Sequence, residues 1–450
     1  MGAVSHQGLW RSVGVSGRVR KYGTVSAALA VGAALLLVPS GAAGAQDTRV
    51  LAYVANNGGG VSVLDTATNA ITTALADSPG DSPYGVGVAF DGGRAYVTNV
   101  RNGTLTVIDT PTNTIDAAVP VGDGPAGVVV SPDGGHVYVS NYRAGTVSVV
   151  DAATLAAVAT VPVGPNADGV ALTPDGRLLY VAHDVPGPGT VSVVDTATNT
   201  EIAEFPTGNT PTALAVTPDG RTLVVVNKFS DNVALVDTAD NTVTGTIPVG
   251  FTPHGIAITP DGTRAFVPNS EGDNVSVLDL VNRTPLAAVR VGDRPISVAL
   301  TPDGARAYVT NFHSGTVSVL DTATLAVESA IPVGVDPVGI AIHAVPPART
   351  RLATGTAVIV PRGGLTVTGI TATLTEGHTG RAVPGKVVSF TTVKGTRLCT
   401  AVTNAAGTAT CDARVPVQVG VATLLEGYTA AFAGDLYHGP SAAHGATVRR

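Results

Sequence analysis

Residues 255–295 read GIAITPDGTRAFVPNSEGDNVSVLDLVNRTPLAAVRVGDRP, and the architecture of the chain follows from their layout. The stretch divides into four short runs separated by turn residues. Strand a, Gly255 to Thr259, ends at Pro260-Asp261-Gly262, with proline and glycine placed as a tight turn between strands requires. Strand b runs from Arg264 to Pro268, strand c from Asn274 to Asp279 and strand d from Ala287 to Val291. Strand c puts Val275 and Val277 on one face and Ser276 and Leu278 on the other, a period of two. Strand a carries small apolar side chains throughout, as a strand crowded on both faces must, which places it innermost.

The same unit recurs along the chain. Tyr-Val-x-Asn or a near variant occupies 53–56, 96–99, 138–141, 180–183, 224–227, 266–269 and 308–311. A second motif, V-x-V-[IVL]-D with small variations, ends at Asp65, Asp109, Asp151, Asp195, Asp237, Asp279 and Asp321, so that successive copies lie 42 or 44 residues apart. Pro-Asp-Gly turns centre on Asp133, Asp175, Asp219, Asp261 and Asp303, with Phe90-Asp91-Gly92 as a degenerate first copy. A fixed period of this length marks a repeat architecture. Four-stranded antiparallel units repeated radially make a β-propeller, which protects its sheet edges by that repetition. The first unit starts directly at strand b, Leu51 to Ala55, and an orphan strand a, Val338 to Ile342, follows the last strand d. The expected fold is therefore all-β: a seven-bladed β-propeller of four-stranded blades over residues 46–345, closed by three strands from one end and one from the other. Deleting residues 335–345 is expected to abolish folding.

Composition and charge narrow the function. Charged residues make up 13% of the chain, against roughly 25% in ordinary domains, which excludes a disordered polyampholyte and a charged coiled coil. Residues 1–45 are basic (+4), residues 46–345 acidic (−17) and residues 346–450 basic (+6). An acidic main body with one lysine, Lys228, argues against nucleic acid as a partner, since that binding depends on neutralising phosphates. Arg11, Arg18, Arg20 and Lys21 precede an apolar run from Val25 to Val38 and the small-residue stretch Gly41 to Ala45, the order of a secretory signal peptide over residues 1–45. The run is shorter than the roughly twenty residues a membrane span needs. The mature chain is thus expected to be secreted or extracellular, cell-wall association included, without a membrane span. Met1 and Trp10 are the only residues of their kinds, so the mature chain has neither.

The YVTN, TPDG, TVSV[VL]DTAT and IPVG elements resemble the YVTN-family seven-bladed propeller repeats of bacterial exported and archaeal surface-layer proteins, over about 300 residues. Those elements are scaffold, so the resemblance speaks to fold more than to activity. After a linker over 346–363, residues 364–450 hold short alternating segments, among them Lys386 to Thr392, Leu398 to Thr403, Thr408 to Ala413 and Val421 to Phe432, the spacing of a β-sandwich. Ala382 to Phe390, Thr403 to Thr410 and Ala430 to Asp435 resemble bacterial Ig-like domains, which implies a spacer or adhesive module. Cys399 and Cys411 flank the turn Asn404 to Gly407, and in an exported chain a disulfide across a hairpin is expected.

Candidate chemistry divides between the two faces of the ring. The a–b and c–d turns carry thirteen repeated aspartates, which read as Asx-turn caps rather than calcium ligands. The b–c and d–a loops carry the residues that vary. The position between Pro and Gly at the start of strand a is Tyr84, Ala126, Asp168, Thr212, His254, Ile296 and Val338 in turn, with Asp168, Thr212 and Ile296 lacking one of the flanking residues, and these should crowd the channel mouth. His183 replaces the motif asparagine, and its loop to Gly189 is two residues longer than the others. Arg101, Tyr142, Arg143, Lys228, Phe229, Phe312 and His313 sit in the b–c loops. Asp168, His183, Asp184 and His254 form the best polar cluster for a cation or for proton transfer, since histidine beside a carboxylate is the usual carrier. Ordinary polar loop residues are the plainer reading of that cluster. No Cys-x-x-Cys-His, P-loop, G-x-S-x-G or H-E-x-x-H occurs. The expected function is a non-catalytic interaction scaffold whose b–c/d–a face binds a cell-surface protein or glycan, without a cofactor unless a divalent cation. The alternative is a lactonase-like hydrolase or lyase with a metal near the channel mouth.

Overall fold

The computed structural model describes residues 49–76, 82–361, 365–377, 380–415, 419–435 and 438–449. The expected signal peptide lies outside the described residues. No described helix is long and apolar enough to cross a membrane.

Residues 49–345 form seven four-stranded antiparallel sheets, so the fold is all-β and propeller-like. Six of the sheets are built from consecutive strands. The remaining one joins Arg49–Asn56, Val61–Asp65 and Ala70–Leu75 to Pro337–Val345 from the far end, with Val54 opposite Ile340 and Ala52 opposite Ile342. The repeated motif residues explain how neighbouring sheets hold together. Tyr53, Tyr96, Tyr180, Tyr308 and Phe266 of strand b are fully buried. Three of these tyrosines reach into the following sheet: the Tyr53 hydroxyl donates to Asn113 Oδ1 at 2.7 Å, Tyr180 to Asn241 at 3.1 Å, and Tyr308 of the last sheet to Asn69 of the first at 2.7 Å. Each accepting asparagine ends a c–d turn in the left-handed region, at φ between 55° and 59° for Asn69 and Asn241 and at 51° for Asn113, a conformation asparagine tolerates better than most residues.

The thirteen repeated aspartates are turn caps. Asp133 Oδ1 accepts the Gly135 N–H at 2.9 Å, and Asp65 Oδ1 accepts the Ala67 and Thr68 N–H groups at 2.9 and 3.2 Å. These bonds favour the carboxylate. The Ser131 hydroxyl and then the Gly135 amide hold Asp133 below the usual carboxylate range, and Thr173 and Arg177 do the same for Asp175.

The C-terminal region is a two-sheet sandwich. Thr350–Thr354, Leu365–Glu376, Ala357–Pro361 and Thr447–Arg449 form one sheet, joined by Thr408–Arg414, and Arg397–Val402, Val387–Thr392, Tyr428–Phe432 and Ser441–Gly445 form the other. Both sheets bury side chains in one core, among them Ile359, Ile370, Leu374, Phe390 and Tyr428. Three expectations change here. The segment read as linker, 346–363, contains two strands, because Leu352, Ala357 and Ile359 pack into the sandwich core. The run from Val421 begins as a short helix, Val421–Leu425, before its strand. The Cys399–Cys411 disulfide forms, but its strands pair with different partners, Val387–Thr392 and Leu365–Glu376, so it ties one sheet to the other instead of bridging a hairpin.

Candidate binding site at the channel mouth

Strand a begins with a local irregularity of pairing in six sheets, between Pro83 and Val86, Pro125 and Val128, Ala167 and Val170, Pro211 and Ala213, Pro295 and Val298, and Pro337 and Ile340. Such a bulge re-aims a side chain. Here the displaced residues are those of the variable position, and Tyr84, Ala126, Asp168, Thr212, His254, Ile296 and Val338 line one cavity of about 260 Å³. The glycine that follows is a matter of space. A Cβ on Gly85 would lie 2.2 Å from the Ala126 carbonyl oxygen, on Gly127 2.5 Å from that of Asp168, and on Gly339 2.2 Å from that of Tyr84. The motif Thr or Ser completes the seam: Thr98 Oγ1 donates to Ala126 O at 2.7 Å, Thr310 Oγ1 to Val338 O at 2.7 Å, and Ser140 Oγ to Asp168 O.

In the sixth sheet the motif reads Phe266-Val267-Pro268-Asn269. Proline has no N–H and no hydroxyl for that seam. Strand a shrinks there to Ala257–Ile258, and Pro253 meets Asn269 only in an isolated bridge. His254 occupies the gap, its N–H donating to Pro268 O at 3.0 Å. Pro268 was not singled out in the sequence; its departure from the motif was the available signal.

The mouth is electrically two-sided. Burial pushes the Asp168 carboxyl up to about 7, Asp184 adds to the effect and Lys228 opposes it. Burial also raises Asp184. Tyr84 is raised well above its usual value by Asp168 first, then by burial, Asp184 and Tyr142. Opposite in character, His254 is pushed down to about 3 by burial, with Lys228 and Arg294 adding to it, so its imidazole is neutral at physiological pH. Arg294 is a second residue the sequence reading passed over. Its guanidinium lies 5.4 Å from the centre of the Phe312 ring and contacts His313 Nε2 at 3.2 Å, and His313 Nδ1 is 3.6 Å from Asp293. Arg294 belongs to a ring of residues at positive φ that enter strand a, with Ser82, Gly124, Asn166, Thr210, Thr252 and Asp336, at 50–64°. That repeated position was legible as the residue before proline in most units.

His183 is not part of the mouth cluster. It is buried, with Nδ1 2.9 Å from Pro165 O and Nε2 2.7 Å from Ser192 Oγ. It bridges the same two elements as the asparagine it replaces, with the loop-side bond reversed: Asn141, its counterpart in the third sheet, accepts Gly122 N–H at 3.0 Å and donates to Ser148 Oγ at 3.0 Å, whereas His183 donates to the Pro165 carbonyl. Asp184, one residue on, does face the Asp168 side. The remaining candidates spread over the loop face. Arg101 is exposed, Arg143 pairs with Asp123 at 3.4 Å, and Lys228 lies 5.4 Å from the ring centre of the exposed Phe229. Tyr142 is half-buried, its hydroxyl 3.5 Å from Asp184 O.

The model of the cytochrome D1 heme domain matches residues 45–169 and 219–340, more than half of the chain. The chain belongs to the cytochrome D1 heme domain family. No curated protein matches it. Among solved structures, hydrazine synthase of Kuenenia stuttgartiensis is similar at a TM-score of 0.55 and 24% identity, over 59% of this chain and 90% of that one, a likeness of fold.

Membership of a family named for heme overturns the expectation of a chain without a cofactor. The missing Cys-x-x-Cys-His excludes only covalent attachment, whereas a non-covalent haem needs one axial side chain and room. His254 supplies suitable donor chemistry, a neutral imidazole beside the cavity. Room is lacking: about 260 Å³ is below the roughly 300–1,000 Å³ of small-molecule pockets, and the channel does not fit an enclosed porphyrin. The expected divalent cation fares no better, since among the described residues no three His, Cys, Asp or Glu side chains group closely enough to hold one.

Proposed function

We propose that this chain is an exported seven-bladed propeller of the YVTN type, joined to an Ig-like module, that binds a cell-surface protein or glycan on its b–c/d–a face. One observation carries the reading. On a scaffold that repeats almost residue for residue, the seven positions turned toward one cavity are Tyr, Ala, Asp, Thr, His, Ile and Val. Packing would favour sameness at equivalent places, as the buried strand b residues show, so variety concentrated at the mouth is suited to recognition. The ring of residues at positive φ around it supports the same reading, because backbone strain of this kind collects at ligand sites. The sandwich starts at Thr350, five residues after the ring ends at Val345, a short connection for a module that presents the ring at the surface.

The test compares the mature chain with a triple variant, Tyr84→Ala, Asp168→Thr and His254→Thr, in binding to fractionated wall glycans and surface proteins of the producing organism. One fraction is expected to bind the wild type at least tenfold more tightly, with unchanged melting of the variant. Equal binding by both would overturn the proposal. Stoichiometric hemin binding with a Soret shift lost in His254→Ala would replace it with a haem-binding function.

A further inference from the structure

On the a–b/c–d face of the ring, away from the mouth, one turn breaks the repeat. In four other places the proline of an a–b turn packs beside the turn glycine of the following sheet: a Cβ on Gly176, Gly220, Gly262 or Gly304 would lie 3.1, 3.4, 3.3 or 2.8 Å from Cδ of Pro132, Pro174, Pro218 or Pro260. The first turn reads Phe90-Asp91-Gly92. Phe90 stands in the proline's place, yet it is 67% exposed and turns edge-on to His343, with the ring centres 6.4 Å apart. A Cβ on Gly134, the glycine that a proline at position 90 would meet, has nothing within 4 Å. Over this gap opens a cleft of about 890 Å³, against about 260 Å³ at the channel mouth. Ring turns line one side of it, through Asp91, Arg94, Asp109 and Gly134. The chain that leaves the ring lines the other, from Pro346 to Arg351, together with Glu376 of the sandwich.

The acids of the cleft have partners within the chain. Asp91 Oδ1 accepts the Gly93 N–H at 2.8 Å, Asp109 Oδ1 accepts the Thr112 N–H and hydroxyl at 3.0 and 2.7 Å, and the buried Glu376 pairs with Arg381 at 2.6 Å. On the ring side Arg94 donates to Ala152 O and lies 3.8 Å from Asp116. Arg349 and Arg351 differ. Their main chain is fixed, since the Gly377 N–H donates to Arg349 O at 2.7 Å and Arg351 lies opposite Thr375 in the sheet. Two residues apart in extended chain, their side chains project to one side, away from the core that Leu352 enters. Both are exposed and line the cleft, and among the described residues neither guanidinium has a hydrogen bond or an ion pair. The unmatched capacity of the cleft is therefore donor capacity.

Each guanidinium offers five N–H donors in a planar fork that suits carboxylate and phosphate. One fork is enough for the two oxygens of a carboxylate. A phosphoryl group brings three oxygens and close to two negative charges, enough for two forks. The cleft is within the roughly 300–1,000 Å³ of small-molecule sites, and Pro346, Pro347, Ala152 and Ala153 give it an apolar wall for a compact carbon skeleton.

We propose that the cleft between the ring turns and the start of the sandwich binds a phosphorylated ligand of sugar size, its phosphoryl group held by Arg349 and Arg351. The body of the ligand lies against the proline and alanine wall. The site is separate from the mouth, on the opposite face of the ring, and it gives the sandwich a part in binding beyond that of a spacer.

The test is calorimetric titration of the mature chain with glucose 1-phosphate, glucuronate and glucose at neutral pH. Glucose 1-phosphate is expected to bind about tenfold or more tightly than glucose, and more tightly than glucuronate. Arg349→Ala and Arg351→Ala should each weaken it about tenfold, as the loss of a charged hydrogen bond does, and the double variant should abolish it. Arg351→Lys keeps the charge without the fork and should still weaken binding several-fold. Arg397→Ala makes the same change of charge at an exposed sandwich residue outside the cleft and should leave affinity unchanged. Equal affinity for glucose 1-phosphate and glucose, no binding, or undiminished binding by the folded double variant overturns the site. Glucuronate bound as tightly as the phosphate ester overturns the phosphoryl assignment. An equal loss in Arg397→Ala overturns the site as well, since affinity would then follow net charge instead of the two forks.

Discussion

Replacing Asp168 with asparagine is expected to stabilise the ring, and to do so more as the pH rises. In the native protein the Asp168 carboxyl titrates near 7 instead of 3.8, because burial at the channel and the neighbouring Asp184 disfavour its charge. A carboxyl held above its unfolded value binds its proton more tightly in the folded state. The stability this lends is present at low pH and is lost as pH climbs from about 4 through 7. Three pKa units correspond to at most about 4 kcal/mol. Water entering by the mouth and the charge of Lys228 reduce that, and we expect about 1–2 kcal/mol in favour of the asparagine at pH 8 and close to none at pH 4. On a ring of this size that is a rise in melting temperature of about 2–4 °C. The assay is urea unfolding at pH 5 and pH 8, followed by circular dichroism, with Arg101→Ala as a surface control. An equal offset at both pH values, or a loss of stability at pH 8, would refute the reasoning, since either would mean that Asp168 is ionised without penalty in the folded ring.

Other substitutions probe closure and stapling. Gly339→Ala puts a Cβ 2.2 Å from the Tyr84 carbonyl oxygen, and this seam between the last-arriving strand and the next sheet should lose roughly 1–3 kcal/mol, as overpacking does; deleting 337–345 should prevent cooperative unfolding altogether in a thermal scan. His183→Asn should stay within about 1 kcal/mol of wild type because the amide can still reach Ser192, whereas His183→Ala should cost about 1–3 kcal/mol by taking the donor from the Pro165 carbonyl and leaving Ser192 only its bond to Val163 O. Reducing Cys399–Cys411, which are 12 residues apart, should destabilise the sandwich by roughly 3 kcal/mol on loop-entropy grounds and leave the ring transition in place, a separation that differential scanning calorimetry resolves.

The repeat made the ring legible. The motif tyrosines, the Pro-Asp-Gly turns and the orphan strand at Val338 each follow a local rule of turn chemistry or strand alternation, and local rules survive in a linear reading. The thirteen capping aspartates were legible for the same reason, since an Asx turn involves residues two or three apart. The sandwich was less so. Thr350–Pro361 lacks a period to announce it, and its strands are recognised by the core that Leu352 and Ile359 enter.

At the candidate site, sequence spacing placed Tyr84, Asp168 and His254 at one cavity, because equivalent positions in equivalent units must converge on the ring axis. It could not separate His183 from them. Whether an imidazole at a loop edge turns outward or inward depends on what lies 18 residues before it and 9 after it, here Pro165 O and Ser192 Oγ. It did separate Asp168 and Asp184 from the thirteen turn aspartates, by their place in the variable loops, but not their charge state, which depends on three-dimensional surroundings. Architecture was written in the order of the residues, where geometry is local and repeated. Charge state, partnership and access were set by contacts between sheets distant in the chain, where burial and neighbouring charges alter what the same residue types can do.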